Sequence, residues 1–456
     1  MNGAVGQAPL PFARWLMPML FFQGYLALTV WMFFYGPWPW SVDHPVQLAI
    51  FLGLAQLAMA VGYLFARRRV CEHPLDTLHR EKQIGAGIRL LKAAVLVSAV
   101  MALPSSLSRT GSALPQVLEG VRNTGIAYNE NFERLDSGNA YVVVEYGRML
   151  LSPWLTAVFP LLVLYWTRLR WSWRLAALGV VTFNLSMYLA TGTNKGIADM
   201  VITLPWLVLL AVFSGLLRIR RAGLKAGLTG LAMLLLFLLF FGAGQLQREG
   251  SGGEYGTFFT GETVLQADSD HFISRLLPTE YRVIFEALSR YVVHGYYALS
   301  LALGADSPST LGFGHSMFLA RNADALFGTG QFVRDSLPGV LERDYGWGTF
   351  LLWHSIYPWL ASDVGFAGTF LVIGALSYLL GLAWGRAIVS CSAPWTVMLY
   401  LMLVLFYYVP ANNQIFQSGE TFFAFFLLLW MIARQRGPRR GRSDRRPDSS
   451  PALIRP

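Results

Sequence analysis

Residues 224–243 read LKAGLTGLAMLLLFLLFFGA, with Lys225 as their single charge. A soluble domain has nowhere to put such a run, whereas about 20 consecutive apolar residues are what a helix needs to cross a bilayer core. Outward from it, nine more segments share its character: 15–35, 46–65, 88–107, 149–166, 173–191, 197–217, 366–386, 394–410 and 419–433. The chain is 54% hydrophobic and 14% charged, against roughly 25% charged in an ordinary soluble domain. These figures exclude a soluble enzyme, a disordered chain and a disulfide scaffold. They predict an all-α, polytopic integral membrane protein of about 10–12 transmembrane helices. The first segment is longer than a signal-peptide core and lacks a small-x-small cleavage site, so it reads as an uncleaved span. Residues 1–436 are expected to form one membrane domain. The tail 437–456, rich in Arg, Pro and Ser, is expected to be disordered.

Orientation follows from Lys and Arg, which stay on the cytoplasmic side. With the N-terminus inside, alternation places 24 of the 36 basic residues inside but only 5 of the 26 acidic ones. Both termini are then cytoplasmic, and the pI of 9.7 needs no nucleic-acid partner. Membrane lipids are the expected surroundings, and anionic headgroups can meet the basic tail. Two large segments lie outside, 108–147 and 244–365. Two weaker apolar stretches, 283–303 and 349–361, could both span and bring 304–348 inside. That loop carries Arg321, Arg334 and Arg343 against Asp306, Asp324, Asp335, Glu342 and Asp344. Its acidic balance predicts outer helices or re-entrant hairpins instead. Cys71 and Cys391 both fall inside, so no disulfide is expected.

Nucleotide loops and zinc-spaced ligands do not occur in the sequence. Asp268-x-Asp270-His271 has the look of a metal site but reads better as an exposed acidic turn, because oxygen-ligated metals need more ligands. A sharper pattern is Arg282, Glu286, Arg290 and His294, spaced by four within 281–303. Each four-residue step turns a helix by about 40°, so all four share one face. The arginines suit phosphate oxygens, Glu286 would orient Arg290, and His294 has proton-transfer chemistry near neutral pH. The competing reading is a surface helix laced with salt bridges. A second candidate is Thr191-Gly192-Thr193-Asn194-Lys195-Gly196, at the outer end of the fifth segment. There a lysine stands beside a helix N-terminus, which attracts anions. Its bland alternative pairs Lys195 with Asp199. A third feature is aromatic: Tyr345, Trp347, Trp353, Tyr357 and Trp359, with Tyr291, Tyr296 and Tyr297 upstream. Flat rings with polar tips suit sugar faces, and equally an interfacial belt.

Three pieces together resemble the Wzy-type O-antigen and oligosaccharide repeat-unit polymerases of bacterial inner membranes. They are Ala190–Gly196, with Lys195 where such families usually have Arg; Gly348-Thr349-Phe350 followed by Ser362-Asp363-Val364-Gly365-Phe366-Ala367-Gly368, with Val364 in place of an aromatic; and Leu311-Gly312-Phe313-Gly314-His315-Ser316. The order of features over 115–215 is similar to the enterobacterial common antigen branch, and the likeness spans most of 115–420. The resemblance implies a GT-C-like architecture and a metal-independent glycosyltransferase without a cofactor, acting at the periplasmic face. A hydroxyl of one polyprenyl-diphosphate-linked repeat unit would attack the anomeric carbon of another, releasing polyprenyl diphosphate. A chain-length regulator is an expected partner. On this footing Lys195, Arg282 and Arg290 are expected to bind the diphosphate, with Arg248, Arg275, Arg321 and Arg343 in reserve. His294 or His315 would assist the acceptor hydroxyl, while Tyr297, Trp347, Trp353 and Tyr345 would bind sugar. An O-antigen ligase needs the same parts. A flippase would favour charges within spans, broken helices and an internal repeat.

Overall fold

The computed structural model describes residues 10–71, 77–136, 141–252, 256–261 and 263–434. The basic tail 437–456 lies outside the described residues. All ten apolar segments are helices. α1 (Phe12–Tyr35), α2 (Pro45–Cys71) and α3 (Thr77–Thr110) come first, followed by the short α4 (Val117–Arg122) and α5 (Thr124–Asp136). Next come α6 (Val142–Tyr165), α7 (Trp171–Ala190), α8 (Lys195–Phe213) and α9 (Ala222–Gly252). An antiparallel hairpin, β1 (Thr257–Phe259) and β2 (Val264–Gln266), leads into α10 (Phe272–Leu276), α11 (Thr279–Ala302), α12 (Met317–Phe327), α13 (Gln331–Asp335) and α14 (Leu337–Tyr345). The last described elements are α15 (Ile356–Ser390), α16 (Ala393–Tyr408) and α17 (Gly419–Arg434). Among the described residues, eight helices are long and apolar enough to cross a membrane. α16 and α17 have 16 residues each, about 24 Å at 1.5 Å per residue. The protein is thus an all-α, multi-pass membrane protein.

Lipid is as apolar as Leu, so spans associate through close backbone approach rather than through the hydrophobic effect. α2 against α15 shows how. A Cβ on Gly62 would lie 2.0 Å from the Gly374 carbonyl oxygen, and Gly381 and Gly385 face Ala66 and Val70 in the same way. Ser377 Oγ donates to the Met59 carbonyl at 2.7 Å. α1 is tied to this pair by indole donors: Trp15 Nε1 to the Gly381 carbonyl at 3.2 Å and Trp384 Nε1 to the Arg14 carbonyl at 2.9 Å. α16 is buried along almost its whole length, between α15, α17, α6, α8 and α3.

The basic helix ends meet one another at one end of the bundle. Arg386 Nη2 donates to the Arg69 carbonyl at 2.5 Å, Arg168 pairs with Glu81 at 3.3 Å, and Arg80 donates to the Ser214 carbonyl.

Two expectations are corrected here. Residues 283–303 form most of the 24-residue α11, but this is neither a re-entrant hairpin nor a surface helix. It packs against α9, α1, α14 and α15, and two members of its polar face, Glu286 and His294, are each only 5% exposed. Residues 349–361 do not form an element of their own. The stretch to Ser355 is loop, and Ile356 opens α15. Helical conformation is interrupted at Gly365, with φ 66° and ψ 169°. That φ lies in the region only glycine enters without strain, so a turn of helix can precede the apolar span at a different angle.

Candidate functional site

The end of the bundle opposite the basic one holds two adjoining cavities, both lined by Lys195. This lysine opens α8 because the preceding turn is built for it. Gly192 has φ 59° and sits so close to α5 that a Cβ would lie 2.3 Å from the Thr124 carbonyl oxygen. Gly196 lets the Tyr188 ring lie against the helix start. The Thr191 and Thr193 hydroxyls share a hydrogen bond of 2.9 Å, and Thr193 N–H donates to the Tyr188 carbonyl at 3.0 Å. Lys195 Nζ contacts Asp199 Oδ2 at 3.1 Å, the pairing that the bland alternative foresaw.

The larger cavity, about 480 Å³, has Lys195 with Thr193 and Asn194 on one side and Arg290, Tyr291 and His294 of α11 on another. Trp353, Tyr407 and Tyr408 also line it, and Ile202, Phe237, Phe241 and Leu288 give it an apolar wall. Two cations separated by ninety-five positions in sequence therefore face one space. Arg290 is held by an aromatic cage. Its guanidinium lies 4.9 Å from the Phe258 ring centre, 5.4 Å from Trp38 and 5.9 Å from Tyr291. Each such contact is worth about 0.5–2 kcal/mol, more when desolvated. Nη1 donates to the Thr257 carbonyl at 3.0 Å, so the small hairpin supplies both a ring and an acceptor. Gly295 lets the surrounding segments close in: a Cβ there would lie 2.4 Å from the Pro410 carbonyl oxygen and 2.5 Å from Ser355 N.

His294 has both nitrogens engaged. Nε2 accepts from the Trp353 backbone N–H at 2.9 Å, which leaves Nδ1 to donate to the Arg290 carbonyl at 2.9 Å. Burial, reinforced by the Arg290 charge, pushes the imidazole down to about 3. A ring bonded at both nitrogens and held neutral has no lone pair for a hydroxyl. The expected proton-transfer role of His294 is corrected to a positioning one, in which the ring fixes the loop that carries Trp353. The neighbouring His354 is fully buried and is likewise pushed down to about 3, chiefly by burial.

The smaller cavity, about 320 Å³, was missed by the sequence reading. It gathers Arg109 from α3, Arg148 from α6, Lys195 and Asp199 from α8, and Glu420 from α17. Glu420 is gripped by Arg109 Nη2 at 2.6 Å and by Arg148 Nε and Nη2 at 2.5 and 3.2 Å. Each arginine also lies 3.9 Å from Glu145. Arg148 is buried, and its Nη1 donates to Ser105 Oγ. The available signal was an isolated charge at the outer rim of three separate spans.

The other sequence candidates disperse. Arg282 lies 4.0 Å from Glu286, whose Oε1 accepts from Ser274 Oγ at 3.1 Å. Arg275 is an exposed partner of Asp270 at 3.1 Å, beside the Asp268 turn. Arg343 pairs with Asp344 on the surface at 2.7 Å. Arg321 lines a separate cavity with Glu145 and Gln417. The side chain of Arg248 lies outside the described residues. His315 lines neither of the two cavities. Its Nδ1 lies 2.7 Å from Asp363 Oδ2, and the same carboxylate accepts from the backbone N–H of Gly312, Gly314 and His315. Asp363 thereby pins the 310–316 loop to the start of α15.

Among the four expected sugar-binding rings only Trp353 reaches the cavity. Trp347 is fully buried, its indole N–H donating to the Trp353 carbonyl at 3.2 Å, so it is corrected to a core residue. Tyr297 and Tyr345 are partly buried and pack on the same small core as Trp347.

No family model matches this chain, and neither does any curated protein or solved structure.

Proposed function

We propose that the protein is a glycosyltransferase that polymerises polyprenyl-diphosphate-linked oligosaccharide repeat units for a surface polysaccharide. The face carrying Lys195 and Arg290 is the periplasmic face of a bacterial inner membrane. One observation carries this reading: Lys195 and Arg290 line a single cavity that also has an apolar wall of Ile202, Phe237, Phe241 and Leu288. A lipid diphosphate has the same division, a dianionic head on an apolar tail. No carboxylate is among the described lining residues of this cavity, Asp199 meeting Lys195 from the adjoining one, and the caged Arg290 is preorganised.

The chemistry follows from where charge develops. As the anomeric carbon–oxygen bond breaks, the leaving diphosphate gains negative charge. Fixed cations aimed at it stabilise the transition state more than the ground state. Lys195 supplies a point charge and Arg290 planar paired donors. Trp353 and Tyr291 offer rings beside the head, where the first sugar would lie.

The test is a gel of surface glycolipid from cells lacking the gene. A ladder that collapses to a single repeat unit on the lipid supports polymerisation. Polymer retained on polyprenyl diphosphate would identify a ligase instead, and an unchanged ladder would refute both. Complementation with Lys195→Ala is expected to lower polymer by ~10²–10³-fold at equal protein level.

A further inference from the structure

The smaller cavity plays no part in the reading above, and its charge balance sets it apart. Arg109 and Arg148 are both bound to Glu420 and both lie 3.9 Å from Glu145. Lys195 faces Asp199. Two arginines neutralised in place are a poor seat for a diphosphate, whereas the Lys195 ammonium has donors beyond the one given to Asp199 and can still meet an anion in the larger cavity. A surface that alternates donors and acceptors suits sugar hydroxyls, which do both, and Asn184, Tyr188, Gln414 and Ser418 extend that alternation. Lys195 lines this cavity as well as the larger one, so a molecule in each would meet at that side chain.

Asp199 stands at the meeting point. The residue is 7% exposed and lines the smaller cavity. Its Oδ2 is taken by Lys195, while its Oδ1 is buried and makes no hydrogen bond of ordinary geometry, with the Tyr408 hydroxyl beside the carboxylate. A buried carboxylate oxygen lacking a well-aligned donor is unfavourable, and a hydroxyl placed there would relieve it.

We propose that the smaller cavity seats the acceptor sugar and that Asp199 Oδ1 takes the proton of its attacking hydroxyl. This rests on the glycosyl-transfer reading and adds to it a site and a base. In the step, the acceptor O–H bond breaks and its proton passes to Oδ1. The oxygen forms a bond to the anomeric carbon of the donor held in the larger cavity. The bond from that carbon to phosphate oxygen breaks, and its electron pair leaves on polyprenyl diphosphate beside Lys195 and Arg290. Asp199 then gives its proton to water.

The experiment uses the full-length protein in lipid nanodiscs with lipid-linked repeat unit isolated from polymerase-deficient cells. It reads the turnover number and, separately, the Kd for polyprenyl diphosphate. Asp199→Asn is expected to lower kcat ~10²–10⁴-fold, with the Kd held within about threefold. Asp199→Glu keeps the charge beside Lys195 but displaces the carboxylate, and is expected to lose kcat at unchanged Kd. Wild-type kcat in either variant would overturn the assignment. So would a Kd that weakens in step with kcat, because Asp199 would then only be holding Lys195. If the wild-type protein releases no polyprenyl diphosphate, the glycosyl-transfer reading fails on that sample and this proposal falls with it.

Discussion

Replacing Arg290 by Lys keeps a positive charge but removes the planar group that lies among Phe258, Trp38 and Tyr291. Polymer made by Arg290→Lys cells is expected at less than about a tenth of wild type, and that of Arg290→Ala lower still, by ~10²-fold or more. Ladder intensity at matched protein level measures both. His294, one helical turn away, is predicted to matter through stability. It and His354 have ordinary values near 6.5 and are held neutral down to about 3 in the folded protein. The unfolded chain therefore binds protons first as pH falls. The stability they contribute is complete above about pH 6.5 and is lost progressively toward pH 3, by at most about 1.4 kcal/mol per pH unit for each histidine. The melting temperature in detergent should drop between pH 6.5 and 4.5, and His294→Gln should make that drop shallower. The spacing of Arg282, Glu286, Arg290 and His294 was legible as one helical face. Which members would meet a cavity was not, because the partners that decide it, the Trp353 N–H and the Thr257 carbonyl, are backbone atoms brought in from other segments.

For the elements, hydropathy located all ten apolar helices but not their ends. α3 begins at Thr77 rather than 88, and α15 at Ile356 rather than 366. A run of apolar residues reports the thickness of the hydrocarbon, while helix geometry continues into polar surroundings until a turn or cap ends it. The glycines that allow close packing are equally invisible as such, since they look like any other residue in an apolar run. Gly62 and Gly53 lie on the same helix, and only Gly62 meets a neighbour, at 2.0 Å from the Gly374 carbonyl oxygen, while Gly53 has open space. Gly62→Ala is expected to destabilise the protein by about 1–3 kcal/mol or more through overpacking. Gly53→Ala should be neutral or slightly stabilising. Thermal unfolding of the two variants side by side decides this. Gly295→Ala at the site, with 2.4 Å to the Pro410 carbonyl oxygen, should lose activity along with stability.

Across the whole molecule, the charge asymmetry that oriented the chain reappears as contact between basic helix ends at one pole. The site lies at the opposite pole. In a variant lacking Cys71 and Cys391, a membrane-impermeant thiol reagent should label Ser112→Cys in intact cells. It should label Arg220→Cys only after the membrane is breached. The reverse pattern would put Lys195 and Arg290 on the cytoplasmic face and remove the glycan reading. The smaller cavity is a property of this scale. Arg109, Arg148, Asp199 and Glu420 come from four helices and share no motif, so only the folded bundle assembles them.

The burial of α16 also bears on how the protein is made. The ribosome delivers α16 after α3, α6, α8 and α15, yet the helix sits between them and α17. Until residue 408 emerges, the earlier helices surround a place that nothing fills. The bundle therefore cannot close as it is synthesised. It must wait, loosely packed in lipid, for a short plug of 16 residues. Chains truncated before Ala393 should accordingly be inserted yet remain open to membrane proteases. The arrival of α16, rather than the insertion of the helices before it, sets whether a closed bundle results.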